Sequence, residues 1–345
     1  MISWELAERV AAGLGGAGES SLPGDLTRLS EAAEREVLAY SALTPLAPLP
    51  SPQVVGRDTW ARANVRLLRA TLAPLDERLD VQAPGAVRAV AGGVVAAEMG
   101  ALVGYLSRRV LGQYEVALTT EELDAAPQLY LVAPNLQELA ARMELQLADL
   151  LAWVTVHELT HAVQFASVPW LRPHLGGLVG ELLRSTEVRL DIGALRAPTL
   201  DDARALWERA RQGGLVGLVT GGAQAELLAQ MQATMALVEG HAEHVMDAAG
   251  APLVPSLARL RTALDRRRAE RSPLASLLER LLGLDMKLRQ YTDGKRFCDA
   301  VVAREGVAAL NRAWSAPERL PTAAELADPG AWLRRTRPRA LPAAS

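Results

Sequence analysis

The chain has 345 residues, 50% hydrophobic and 22% charged, which excludes a disordered or fibrous protein and allows one large domain or two modest ones. A net charge of -3 and an isoelectric point near 6.0 argue against nucleic acid as the main partner. A single cysteine, Cys298, excludes an intrachain disulfide and agrees with a reducing compartment, so a cytoplasmic location is the expectation.

Abundant Ala and Leu with only 4% aromatic residues favour helices. Residues 1–43 read as helical with a Gly/Ser-rich break near 13–24. The start has neither a basic segment nor an uninterrupted apolar core, so it does not read as a secretory leader. Thr44 to Pro52 carries Pro45, Pro48, Pro50 and Pro52 and should be an extended connector. Asp58 to Leu79 predicts a helix that turns Trp60, Leu67, Leu68 and Leu72 inward.

Ala89 to Leu106 is the most membrane-like stretch, apolar apart from Glu98. Gly92, Ala96, Gly100 and Gly104 recur every four residues, a stripe that lets a second helix approach closely. A central glutamate is costly in lipid. The reading is therefore a buried helix over 86–111 and no membrane span.

Gln113 to Leu118 and Gln128 to Ala133 are the strand candidates, the second stopped by Pro134-Asn135. Two roles suit them: a small hairpin over the core, or an edge strand that holds an extended peptide. Leu147 to Ala166 is an apolar helix closed by Val168-Pro169. Further helices are expected at Leu175 to Arg196, Asp201 to Gln212, Ala223 to Ala249, Leu257 to Leu282 and Met286 to Arg304. Residues 213–222 read as a glycine-rich connector and Arg334 to Ser345 as a frayed basic end. The organisation expected is an N-terminal helical region with a small sheet (1–135), a helical core (136–305) and a C-terminal extension (306–345). The fold class is α+β, mostly α-helical.

The chemistry concentrates at His157-Glu158-Leu159-Thr160-His161, in a chain with only 5 histidines. On a helix, positions i and i+4 lie about 40° apart, so His157 and His161 can share one metal ion. Glu158, beside the first ligand, can serve as general base toward a water activated there. Zn²⁺ suits imidazole donors and tolerates an open fourth position. Position 167 is Ser167, so the H-E-x-x-H-x-x-G-x-x-H pattern fails and the third ligand must come from further along the chain.

Val238-Glu239-Gly240-His241-Ala242-Glu243-His244 offers it in two ways. Glu239 would complete a His₂Glu set, with Glu243 one turn later bonding a ligand imidazole. His241 would complete a His₃ set instead. His174 follows Pro173 and reads as a loop residue.

These residues resemble a bacterial family of zinc-dependent metalloproteases with a zincin-like core. The likeness runs through His157 to Phe165 and Val168-Pro169-Trp170-Leu171. It also takes in Arg57-Asp58-Thr59-Trp60, Arg109 to Tyr114, Leu131 to Asn135, Glu239-Gly240-His241-Ala242, Val245-Met246-Asp247, Lys287 to Tyr291 with Gly294 and Phe297, and Leu320-Pro321-Thr322. One branch of that family is named for association with biosynthesis of a deazaflavin cofactor. The resemblance implies a zincin-like core with a small β-sheet and a hydrolase. Glu239-x-x-x-Glu243 is similar to the E-x-x-x-D pattern of glutamate zincins, with Glu in place of Asp.

The expected function is a zinc metallopeptidase in which His157, His161 and Glu239 hold Zn²⁺ and Glu158 moves the proton, acting on a peptide or protein. Tyr291, His244 and Lys295 are candidates for stabilising the oxyanion. The alternatives are a zinc protein that acts on a small molecule and serves a cofactor pathway, or a non-proteolytic interaction module. No Ser/His/Asp order, nucleotide loop or cysteine cluster points to other chemistry.

Overall fold

A computed structural model describes residues 2–16, 18, 20–80, 85–115, 126–185, 222–269 and 284–337. It is an α+β fold dominated by helices. The helices are α1 (Trp4–Gly15), α2 (Leu26–Ser41), α3 (Arg57–Asp80), α4 (Gly85–Ser107), α5 (Ala133–Arg142), α6 (Leu147–Ser167), α7 (Leu171–Ser185), α8 (Gly222–Ala249), α9 (Leu257–Ala269), α10 (Leu284–Glu305), α11 (Val307–Leu310), α12 (Ala323–Ala327) and α13 (Pro329–Thr336). The strands are β1 (Pro52–Val55), β2 (Gly112–Glu115) and β3 (Gln128–Val132), in sheet order β1-β3-β2. β3 runs parallel to β1 and antiparallel to β2.

β3 is the hinge of the architecture because it is buried on both faces. Leu129 and Leu131 join a core with Leu150, Val154 and Leu159 of α6, while Tyr130 and Val132 join another with Trp60 of α3 and Val103 of α4. A strand covered on both sides needs a continuous apolar run, which is why Leu129 to Val132 shows no polar alternation. The strand stops where expected, but the chain does not leave as a loop. Ala133 opens α5 with Pro134 in its first turn, where a missing N–H is tolerated. β1 was not foreseen, since a four-residue strand ending a proline run has no pattern of its own. Pro52 can start it because it lies at the first position of a strand on the edge of the sheet. The second half of the expected strand, residues 116–118, lies outside the described residues.

The small-residue stripe of α4 meets α1. A Cβ on Gly100 would strike Ala7 O and Val10, and one on Gly104 would strike Leu14 and Ala11. Glycine is needed at both positions for this close crossing. No helix among the described residues is long and apolar enough to cross a membrane.

α6 runs through the middle, and from Leu150 to Gln164 nearly every side chain is buried. It therefore lacks the polar face of a surface helix. α8 crosses α10 at Gly240 and Gly294, where either Cβ would collide with the other helix's backbone. This crossing sets where the face of α8 bearing Glu239 stands relative to α6.

Two expectations need correction. α7 starts at Leu171, so His174 is helical, its ring edge-on to Trp170 at 5.8 Å. The C-terminal segment is packed as far as Thr336: Trp332 is fully buried against Phe297, and Arg335 clamps Glu325 of the Thr322/Glu325 capping box. Arg334 to Thr336 are thus helix and not frayed end. The helix expected over 201–212, the connector over 213–221 and the ends of two longer helices lie outside the described residues.

Candidate metal centre

His157 and His161 project from one face of α6, one turn apart, as the spacing requires. Their Nε2 atoms stand 3.2 Å apart with the rings edge-to-face. α8 brings Glu239 across from them, its Oε2 3.5 Å from His161 Nε2 and 3.8 Å from His157 Nε2. Among the described residues these three side chains form a group able to hold one metal ion, with donor atoms all within 4.8 Å of one another.

The chemistry of the donors fits zinc. Two ligands at 2.0–2.1 Å from a tetrahedral ion stand about 3.3–3.4 Å apart. The observed spacings of 3.2, 3.5 and 3.8 Å sit close to that edge length without a carboxylate or imidazole having to turn away. The three side chains are 23, 11 and 21% exposed for His157, His161 and Glu239, so one side of the triangle stays open to an incoming group.

Glu158 lies beside this triangle and is buried. Its Oε2 accepts a hydrogen bond from the main-chain N–H of Tyr114 in β2 at 2.7 Å. β2 can come this near only because position 112 is glycine: a Cβ there would press on Val154 and on the Glu158 side chain. Burial pushes the Glu158 carboxyl up to about 7, against the pull of His161 and of the Tyr114 N–H, with Glu239 adding to the rise. At His161 burial opposes the charged form, but the carboxylates of Glu239 and Glu158 outweigh it and carry the imidazole up to about 9.

The group on His161 Nδ1 is Gln164, at 2.9 Å. Gln164 is fully buried and also bonds Val238 O at 2.9 Å and His241 Nδ1 at 3.0 Å. Of the two proposed third donors, the fold brings the Glu239 carboxylate to the imidazole pair. It turns His241 away, toward Gln164 and the edge of Trp314 at 5.2 Å. Burial, then the charges of His244 and His161, hold His241 down to about 3, hence neutral.

His244 is engaged by other groups. Five residues beyond Glu239, it points about 140° around the helix. Its Nε2 meets the Tyr40 hydroxyl at 2.8 Å and its Nδ1 meets Asp299 at 2.6 Å. Lys295 is likewise engaged, at 2.6 Å from Asp299 and 3.0 Å from Asp247. Tyr291 belongs to α10, but its side chain is not among the described ones. Gln164, Gly112 and the Tyr114 N–H escaped the sequence reading. Only Gln164 left a trace there, as a lone amide on an otherwise apolar helix.

Fold and converging donors together define the class: a mostly helical scaffold built around side chains able to hold a metal ion. The profile of the zincin-like metallopeptidase family matches residues 2–333, and the chain belongs to that family. It is also similar to a crystal structure from Chloroflexus aurantiacus that carries the provisional description of a hydrolase with a novel fold. That likeness has a TM-score of 0.71 and 28% identity and covers 97% of this chain and 98% of the other. No curated protein matches the chain.

Proposed function

We propose that this protein is a zinc-dependent peptidase in which His157, His161 and Glu239 hold the ion and Glu158 is the general base. The observation that carries the reading is the convergence of two imidazoles and one carboxylate, from α6 and α8, beside a buried Glu158. Zinc held by these residues would supply a Lewis acid that acidifies water and polarises a carbonyl. Glu158 would take a proton from the attacking water and deliver it to the leaving amine. The Tyr114 N–H holds the carboxylate in place between these transfers, and the apolar walls of α6 keep bulk water from it. The partially exposed edges of His157 and Glu239 face the side from which a peptide would enter.

Elemental analysis of wild type beside His161→Ala and Glu239→Ala tests the metal centre. About one zinc per chain, lost in both folded variants, is the expected result. Zinc retained in Glu239→Ala would move the third ligand elsewhere. Loaded protein that stays silent toward denatured protein and peptide libraries would replace a peptide by a small molecule as substrate.

A further inference from the structure

Gln164 stands outside the donor set, yet its three hydrogen bonds determine how that set is presented. The Val238 carbonyl can only accept, so the Gln164 atom 2.9 Å from it is the amide nitrogen. The amide oxygen therefore faces His161 Nδ1 at 2.9 Å. That oxygen can only accept in turn, so His161 Nδ1 carries a hydrogen and, in the neutral ring, the lone pair lies on Nε2. Nε2 is the atom that faces His157 and Glu239.

The second amide hydrogen of Gln164 goes to His241 Nδ1 at 3.0 Å, which must be the bare nitrogen of that ring. Had Gln164 turned over, its oxygen would face the Val238 oxygen with no hydrogen between them. One orientation satisfies all three contacts, and full burial leaves no water to relax the choice.

The same side chain joins the two ligand-bearing helices. Val238 immediately precedes Glu239 on α8, and Gln164 lies one turn beyond His161 on α6. A single amide thus sets both the ring orientation of one ligand and the backbone position next to another.

We propose that Gln164 is the positioning residue of the metal centre: it selects the His161 tautomer that offers Nε2 and pins α8 so that Glu239 meets it, with His241 keeping the amide from turning over. This rests on the metal-centre reading above. Partners of this kind on a ligand histidine are worth about 10- to 100-fold in metal affinity.

The test uses the whole chain. Zinc dissociation constants are measured by chelator competition, and the cobalt(II)-loaded protein gives a visible spectrum that reports ligand geometry. Gln164→Met keeps the size and loses every hydrogen bond; Gln164→Glu keeps the acceptor toward His161 but loses the donor toward Val238 O and His241 Nδ1. The expected result is binding weakened about 10- to 100-fold with an altered cobalt spectrum in Gln164→Met, and in Gln164→Glu recovery only of the part that the His161 contact supplies, the link to Val238 staying broken. Wild-type affinity and spectrum in Gln164→Met would reduce Gln164 to a space filler and overturn the proposal.

Should either variant fail to fold, nitrogen-15 signals of the histidines in zinc-loaded wild type decide the matter. His161 with hydrogen on Nδ1 and metal on Nε2 is required, and the opposite assignment overturns the proposal. A wild type that takes up no zinc would remove the metal centre itself, a different failure that the elemental analysis identifies first.

Discussion

The main-chain N–H of Tyr114 donates to Glu158 Oε2 at 2.7 Å, tying the edge strand of the sheet directly to the helix that carries the imidazole pair. The glutamate side chain is thus held by backbone and not by another side chain. Replacing the carboxylate by an amide leaves an oxygen to accept that N–H, so Glu158→Gln should fold and load zinc as wild type does. Hydrolysis should fall by roughly 10²- to 10⁴-fold, the usual share of a general base. Zinc content and steady-state rates measured on one preparation check this, and unchanged turnover would falsify the role given to Glu158.

Gly112 makes the approach of β2 to α6 possible. In Gly112→Ala the new methyl presses on Val154 and on Glu158, so the strand must retreat or the carboxylate must turn. A stability loss of about 1–3 kcal/mol is expected from overpacking. Misplacing the base by about an ångström costs up to roughly 10²-fold in rate. The atoms nearest the added methyl belong to Val154 and Glu158 and not to His157, His161 or Glu239, so zinc content should hold. Thermal unfolding, metal analysis and kcat together separate these effects.

At the α8–α10 crossing, Gly240→Ala and Gly294→Ala each force a methyl into backbone. The helices must part, and α8 carries Glu239 with it. Both variants should lose at least about 1–3 kcal/mol and bind zinc more weakly. Gly13→Ala is the control: it lies in α1 with nothing near the added carbon, so it should gain up to about 1 kcal/mol from helix propensity. Equal behaviour of the three variants in thermal melts would refute the crossing as the reason for glycine.

His244 links α2, α8 and α10 through Tyr40 and Asp299. Tyr40→Phe removes one hydrogen bond and keeps the ring. It should cost about 1 kcal/mol and leave zinc content and turnover at wild-type values. A fall in turnover without a fall in stability would place this cluster in the reaction after all.

Burial of Asp299 works against its charge, but the bonds from Lys295 and His244 outweigh it and hold the carboxyl below its ordinary value of 3.8. A depressed folded pKa means that the unfolded chain takes up this proton more readily. The stabilisation is therefore complete above about pH 5 and disappears as pH falls through the folded value, below about 3.9. Around the carboxylate stand His244, Lys295 and, through Lys295, Asp247. Urea midpoints of wild type and Asp299→Asn should differ at pH 6, and the difference should shrink as pH falls below about 3.9. A constant difference across that range would show that charge is not the source.

Much of this protein is legible along the chain. The helical period of α6, the i, i+4 histidines and the adjacent glutamate specify one helix face, since local geometry alone sets their separation. The stripe from Gly92 to Gly104 likewise announced a close helix neighbour, because a surface without side chains is stable only when another backbone covers it. It could not say that the neighbour is α1. β1 and α5 were missed for a related reason. Each is short and depends on a partner, β1 on β3 and α5 on the core beneath it, so neither carries a sufficient pattern of its own.

By itself, then, the sequence determined the helical class, the imidazole pair and the identity of its neighbouring carboxylate, all properties of residues within a few turns of one another. The tertiary structure brought Glu239 to the imidazole pair, engaged His241 with Gln164 and His244 with Tyr40 and Asp299, and placed the Tyr114 N–H against Glu158. Those choices depend on how α8 and β2 lie against α6. That arrangement is set by glycine contacts and buried hydrogen bonds between residues distant in sequence, whose energies exist only once the helices have met.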